Sequence, residues 1–280
     1  MQNILYAACA AAVIALAFLA YARRMAGAAV LETVRLTPDG DALRVVQISD
    51  VHIKIKAVPV SKIISLVQKA APHILIFTGD YIQTEREADR FVRWMERLVN
   101  AAGGAAFYLC FGNHDNYAFE SCPTLARDFT KRLKALGVYI MEDRTLSYAR
   151  AGKIYDITGF SDYHSARSFN IQKALRGASK DAAYHIGFSH NPDIAFALNG
   201  PRPDLLLLGH FHGGQIWLPF HLEYICLRKE RMCRTGFYRG LRDFNGRLVY
   251  ISRGVGCVMF PLRFGSRPEI TLFLIPESRQ

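Results

Sequence analysis

The sequence has few of the features that mark a small stapled domain. Its six cysteines, Cys9, Cys110, Cys122, Cys226, Cys233 and Cys257, form no C-x-x-C pair. That spacing argues against structural zinc and against a disulfide framework, and it suits a reducing compartment. No internal repeat and no long polar linker divides the chain, so one large domain is expected, with ample length for a full core. Charge is missing from Ile4 to Tyr21, ILYAACAAAVIALAFLAY, eighteen residues. Met1-Gln2-Asn3 brings only the terminal amine, so the basic start of a cleaved signal peptide is lacking. No arginine pair precedes the apolar run, which argues against twin-arginine export. The arginines Arg23 and Arg24 follow it instead. About 20 apolar residues cross a bilayer as a helix. Residues 1–24 therefore read as a single-pass anchor in the cell (inner) membrane, with residues 25–280 as the domain. The positive-inside rule puts that domain in the cytoplasm. A buried Ala-rich core helix is the competing reading, disfavoured by the terminal position and the lack of amphipathic spacing.

Acidic residues are also scarce, 24 against 35 basic ones, for a net charge of +11. Such a surplus points to anionic partners: phosphate, acidic lipid or nucleic acid. An aromatic RNP stretch and a basic zipper are both lacking, so no nucleic-acid partner is expected. The basic residues are densest from Leu227 to Arg247, interleaved with Met232, Phe237, Tyr238, Leu241 and Phe244. A solvated charged face would explain the charges alone. The mixture with apolar and aromatic residues fits a surface leaning on lipid headgroups.

After the connector Met25–Ala29, an edge strand is expected near Val30–Leu36. Buried strands at Leu43–Ser49, in HILIFTGDY and in AAFYLCFGNHDNY alternate with helical spacing in PVSKIISLVQKAA, DRFVRWMERLVNAA and PTLARDFTKRLKALG, the last stopped by Gly137. That alternation indicates an α/β layered fold. The later strands, Thr145–Arg150, Lys153–Gly159, Tyr184–Ser189, Asp204–Leu208, Arg247–Ser252 and Ile270–Ile275, read as antiparallel.

Chemistry collects at the ends of the strands. Three end in Asp50-Val51-His52, Gly79-Asp80 and Gly112-Asn113-His114-Asp115; a fourth ends in Ser189-His190 and a fifth in Gly209-His210-Phe211-His212. The carboxyl ends of strands in open α/β sheets gather along one crevice, so these groups can converge. Asp, Asn and His without Cys make an oxygen and nitrogen metal site, with donors enough for two ions.

D-x-H, G-D, G-N-H-D, a lone His and G-H-x-H, in this order, resemble the calcineurin-like metallophosphoesterases. Each piece alone is common; the ordered set, each after an apolar strand, is specific and spans Asp50 to His212. SHNPD, GHFHGGQIWLP and VYISRGVG…PLRFGSRPEITL extend the likeness to a membrane-anchored branch, which includes UDP-2,3-diacylglucosamine pyrophosphatases of lipid A synthesis. The resemblance implies a four-layer α/β/β/α sandwich: two mixed sheets face to face, flanked by helices, metals at one edge. It implies two divalent metals, Mn, Fe or Zn. Asp50, His52, Asp80 and His212 would hold the first; Asp80, Asn113, His190 and His210 the second, with Asp80 shared. His114 would sit by the leaving group, Asp115 would orient its ring, and Arg253 would grip substrate phosphate. Two ions bring +4 against −2 from Asp50 and Asp80, so the centre would attract a phosphate oxyanion.

Of the nine histidines, His73, His164, His185 and His221 fall on no motif position and read as ordinary core or surface residues. The expected function is hydrolysis of a phosphoester or pyrophosphate bond, in a lipid-linked substrate at a membrane surface. A phosphodiesterase for a soluble nucleotide or other diester is the alternative within enzymes. A metal-binding interaction scaffold is the alternative outside them, disfavoured because every ligand position and His114 are intact.

Overall fold

A computed structural model describes residues 1–37, 42–55, 57–200 and 203–277. The chain begins with helix α1 (Gln2–Gly27), of which only Ala22 and Ala26 are buried. It is long and apolar enough to cross a membrane. A first run follows: β1 (Val30–Arg35), β2 (Leu43–Ile48), α2 (Val60–Ala70), β3 (Ile74–Thr78), α3 (Glu85–Ala101), β4 (Ala106–Cys110), α4 (Asn113–Ser121), α5 (Pro123–Ala135) and β5 (Val138–Ile140). The second run is β6 (Arg144–Arg150), β7 (Lys153–Gly159), α6 (Ile171–Leu175), β8 (Tyr184–Phe188), β9 (Leu205–Leu208), α7 (Leu222–Leu227), β10 (Gly240–Asp243), β11 (Leu248–Ile251) and β12 (Glu269–Ile275). Helix α5 stops as its sequence predicts: Gly137, at φ 82°, turns the chain while its N–H bonds Lys134 O.

Two six-stranded sheets result, ordered β1-β12-β2-β3-β4-β5 and β10-β11-β9-β8-β7-β6. Leu43, Val45, Ile74 and Ile76 of the first sheet pack against Ile157, Ile186, Leu205 and Leu207 of the second. The opposite face of the first sheet buries Ile63, Phe91, Met95 and Phe129 from its helices. Leu206, Leu208, Val249 and Ile251 on the outer face of the second bury Ile194, Met232 and Phe237. Strands covered on both faces need no polar alternation, which is why LLLL at β9 is uniformly apolar. The α/β/β/α sandwich is therefore the observed architecture.

Two expectations fail here. The later strands are not mainly antiparallel: β7–β8, β8–β9 and β9–β11 are parallel, and β6–β7, β10–β11 and β12–β2 are antiparallel. The parallel pairs are joined by residues 160–183, 189–204 and 209–247, each long enough for a crossover. Those crossovers are built largely of loops and short turns, so they carry no helical period. The basic and aromatic segment Leu227–Arg247 is not a continuous surface patch either: Leu227, Lys229, Arg231, Arg234, Leu241 and Arg242 are exposed, but other members turn inward. Met232 and Phe237 are core residues, Tyr238 stacks on Tyr224 at 3.7 Å, and the buried Arg247 guanidinium bonds the Pro203 and Gly200 carbonyls.

The interface between the sheets should dominate stability. Phe273 is fully buried there, edge-on to Tyr250 at 5.0 Å. Phe273→Ala is expected to cost about 3–5 kcal/mol, read as a lowered midpoint of urea unfolding in detergent.

Candidate metal centre

Both sheets turn the carboxyl ends of their central strands to one edge. There the backbone leaves the β region abruptly. Asp50 (φ 53°), His52 (φ 40°), Asp80 (φ 61°), His210 (φ 76°) and His212 (φ 52°) all take left-handed conformations. Such backbone is costly for residues with a Cβ and collects at functional sites. It is held by bonds that continue past the strands: Asp50 N–H to Gly79 O, His52 N–H to Asp80 O, and Gly209 N–H to His190 O, each 3.0 Å. Two glycines permit the closeness. A Cβ on Gly112 would lie 2.3 Å from Asp80 Oδ1, and one on Gly209 would lie 2.1 Å from Ser49 Oγ.

The side chains form two clusters that share one oxygen. On one side, His52 Nε2 stands 3.5 Å from Asp80 Oδ2 and 3.1 Å from His212 Nε2, and His212 Nε2 stands 3.4 Å from Asp50 Oδ1. On the other, His190 Nε2 is 3.2 Å from the same Asp80 Oδ2, 3.0 Å from Asn113 Oδ1 and 3.0 Å from His210 Nδ1. All seven donors expected from the sequence thus meet. Asp50, His52 and His212, and separately Asp80, His190 and His210, have the spacing of groups that could hold a metal ion.

The tautomers fit that use. His190 Nδ1 donates to Thr78 O at 2.8 Å, which leaves the Nε2 lone pair facing the cluster. His210 Nε2 donates to Glu230 Oε1 at 2.6 Å, which leaves Nδ1 facing it. A carboxylate behind a ligating imidazole orients it and strengthens it as a donor. The Asp80 carboxylate, the Asn113 amide oxygen and the His210 lone pair, each about 3 Å from His190 Nε2, repel its lone pair unless a cation or a proton sits among them. Burial opposes charging of His190, but the Asp80 carboxylate overcomes it and holds the imidazole up at about 10. Burial pushes His52 down to about 3 and holds His212 well below the usual range as well, so both are neutral imidazoles ready to donate a lone pair.

His114 is half-buried beside the first cluster, its ring edge-on to His52 at 5.1 Å. Its backbone N–H, not its ring, bonds Asp80 Oδ1 at 2.9 Å. Asp115 does not orient that ring. Its two buried oxygens accept the backbone N–H groups of Asp80, Tyr81, Ile82 and Gly112, so it fastens the β3 and β4 ends together. Arg253 does not face the centre. Its guanidinium is paired with Glu32 and Glu269, and Arg253 is not among the residues that line the cavity over the donors. His73, His164, His185 and His221 lie outside both clusters, each with a local partner such as Arg44 N–H, Asp193 or Thr158.

Three residues went unread in the sequence. Glu230 and Arg228, whose guanidinium bonds His210 O at 3.1 Å, sit in a charged run that looks like surface. Glu142 accepts the Phe111 N–H at 2.9 Å, just before Gly112. The centre opens into a cavity of about 550 Å³. Asp80, Asn113, His114, His210 and His212 make its polar floor; Leu218, Leu227, Met259 and Phe260 are among its apolar walls.

Asp115→Asn keeps the shape but turns an NH₂ toward backbone donors. It should cost about 1–3 kcal/mol per donor left unpaired, seen as a lower denaturation midpoint. Burial raises Glu142 from 4.5 to about 8. A carboxyl raised in the folded state ionises first in the unfolded chain, so it erodes stability as pH climbs from about 4.5 and stops doing so above about 8. Glu142→Gln should therefore flatten that part of the stability–pH curve, with the gap between variant and parent widening toward pH 8 in denaturation series.

Residues 43–214 match the family model of the calcineurin-like phosphoesterases. An uncharacterized metallophosphoesterase of Bacillus subtilis, YkoQ, is 29% identical over 85% of this chain and 85% of its own length. The phosphodiesterase YaeI of Escherichia coli is 27% identical over 82% and 80%. The UDP-2,3-diacylglucosamine pyrophosphatase LpxG of Chlamydia trachomatis is 27% identical over 82% of both chains. With the family's ordered donors gathered at one sheet edge, and the family implying divalent metals for them, this chain belongs to the calcineurin-like phosphoesterases and is a phosphoester- or diphosphate-cleaving hydrolase.

Proposed function

We propose that this enzyme cleaves a phosphate bond in a membrane lipid, of the UDP-2,3-diacylglucosamine type, at a two-metal centre. The carrying observation is the sharing of Asp80 Oδ2 between two donor clusters at the floor of an apolar-walled cavity. Asp50, His52, Asp80 and His212 would hold one divalent ion, and Asp80, Asn113, His190 and His210 the other. Oxygen and imidazole donors without thiolate suit Mn, Fe or Zn. When bound, two such ions supply Lewis acidity toward phosphoryl oxygens and lower the pKa of water.

The protein's own groups supply the rest. Asp80 is fixed by the His114 N–H on Oδ1, which keeps Oδ2 aimed between the clusters. Glu230 and Thr78 O hold His210 and His190 in the donating tautomer. As a water oxygen bonds phosphorus and releases its proton to solvent, the bond to the leaving oxygen breaks and His114, in its imidazolium form, gives that oxygen a proton and is recharged from solvent. Arg228, on the cavity wall, takes the role of phosphate grip that Arg253 cannot fill.

The lipid reading draws support from the apolar walls, from the likeness to LpxG, and from α1. Residues 1–24 then anchor the 25–280 domain, and Arg23 and Arg24 after the apolar run favour a cytoplasmic domain. A soluble diester is the second reading, favoured by the likeness to a protein named as a phosphodiesterase.

The test uses full-length enzyme in detergent with Mn²⁺ on UDP-2,3-diacylglucosamine and on bis-p-nitrophenyl phosphate. The lipid should be cleaved much faster, and a chelator should stop both reactions. His114→Ala should lose about 10²–10⁴-fold in kcat. Cleavage of the soluble diester alone would discard the lipid substrate, and metal binding without cleavage of either would favour a scaffold.

A further inference from the structure

Large apolar side chains ring the mouth of the catalytic cavity and face outward. On one side, Leu218 and, from the Pro219–His221 turn and α7 that follow it, Phe220, Ile225 and Leu227 are exposed. Phe220 is 89% exposed, and its backbone, like that of His221, is left-handed at φ 56°. A bulky aromatic in that conformation, exposed to water, is unfavourable twice over. Across the mouth stand Met259, 76% exposed, and Phe260. Leu218, Leu227, Met259 and Phe260 line the cavity and continue onto the outer surface, so lining and rim are one apolar sheet.

The two sides form one rigid unit. The Gln215 amide bonds both the N–H and the carbonyl of Val258, and Trp217 N–H bonds Phe264 O at 3.0 Å. The rim is also continuous with the end of α1. Phe264 packs on Phe18 at 5.2 Å and Tyr21 at 6.2 Å, Arg263 N–H bonds Ala22 O, and Arg23 bonds Pro261 O. Aromatic rings thus surround the point where α1 meets the domain, with Arg23, Arg24 and the Arg239 guanidinium stacked on Trp217 beside them. Apolar and aromatic residues with flanking arginines at the end of a membrane-length helix are the composition of a bilayer interface.

We infer that this rim is sunk in the bilayer beside α1, so that the catalytic cavity opens into lipid and not into bulk water. The inference rests on the reading of α1 as a membrane span; it does not depend on which phosphate bond is cut. The apolar segments 218–227 and 259–264 enter the acyl boundary, about 5–10 Å below headgroup level. A lipid with a phosphate near its headgroup reaches the donors on the floor while its chains stay among Leu218, Leu227, Met259 and Phe260. The patch overlaps the basic segment Leu227–Arg247 only at Leu227, with Arg239 at its margin.

The test is depth-dependent fluorescence quenching. Full-length Phe220→Trp is reconstituted into vesicles of phosphatidylethanolamine and phosphatidylglycerol, with and without brominated acyl chains, and the parent signal is subtracted. Tyr139→Trp serves as control, being exposed on β5, at the edge of the first sheet opposite β1 and α1. Bromolipid should quench Phe220→Trp at least about twofold more than Tyr139→Trp, and acrylamide should quench it less. Equal bromolipid quenching at the two sites overturns the inference: with strong acrylamide access at Phe220→Trp the rim faces water, and with weak access a second copy of the chain covers it. A lipid substrate that fails in the activity assay leaves these readings unaffected, so the two ideas fail separately.

Discussion

Asp80 is the residue on which the rest of the site depends, because every polar atom it has is committed. Its Oδ2 stands between His52 and His190, and its Oδ1 takes the His114 N–H. Its own N–H goes to Asp115, and its carbonyl accepts His52 N–H. Through these contacts one aspartate joins the ends of β2, β3, β4 and β8, which come from both sheets. The left-handed backbone at φ 61° is the cost of pointing a side chain out of a strand end and back across the crevice. The sandwich stabilises that conformation from below, since β2, β3 and β4 are buried on both faces and cannot shift singly.

The same geometry explains the composition of the surrounding loops. Donor atoms must approach within about 3 Å, so backbones must approach closely as well. Gly112 and Gly209 stand where a single methyl would strike Asp80 or Ser49. Asp115 and Glu142 cap the strand ends with carboxyl oxygens where the ladder of backbone bonds runs out. Catalytic donors and structural acceptors are therefore interleaved, and substitutions at the second group act on the first through position.

Much of this was legible in the sequence because it is local. A strand that ends in D-x-H or G-H-x-H announces its donors, and all seven converge as the motif order implies. What escaped depends on long-range pairing. Arg253 looked free, yet it is bound by Glu32, 221 residues earlier, and by Glu269. Glu230 lay hidden in a basic run because nothing local ties it to His210, 20 residues away. Strand direction in the second sheet was misjudged because crossovers built of turns have no period to read. Helix α4 was missed because Asn113–Ser121 is polar at its start and carries the chemistry, so no apolar stripe advertises it.

Only Ala28 and Ala29 separate the end of α1 from the first strand, and the last turns of the helix, through Ala22 and Ala26, are already packed on the domain. A domain on a long flexible leash samples all orientations above a surface; this one is joined to its helix by two residues and by direct packing. In the proposed arrangement, with α1 across a bilayer, the helix acts as a lever arm and its tilt sets the angle of the cavity mouth. Encounter with a ligand confined to the same plane then becomes a two-dimensional search with a nearly fixed approach angle. For an enzyme anchored in that proposed way, membrane thickness, which governs helix tilt, would become a variable of catalysis even though it touches no catalytic residue.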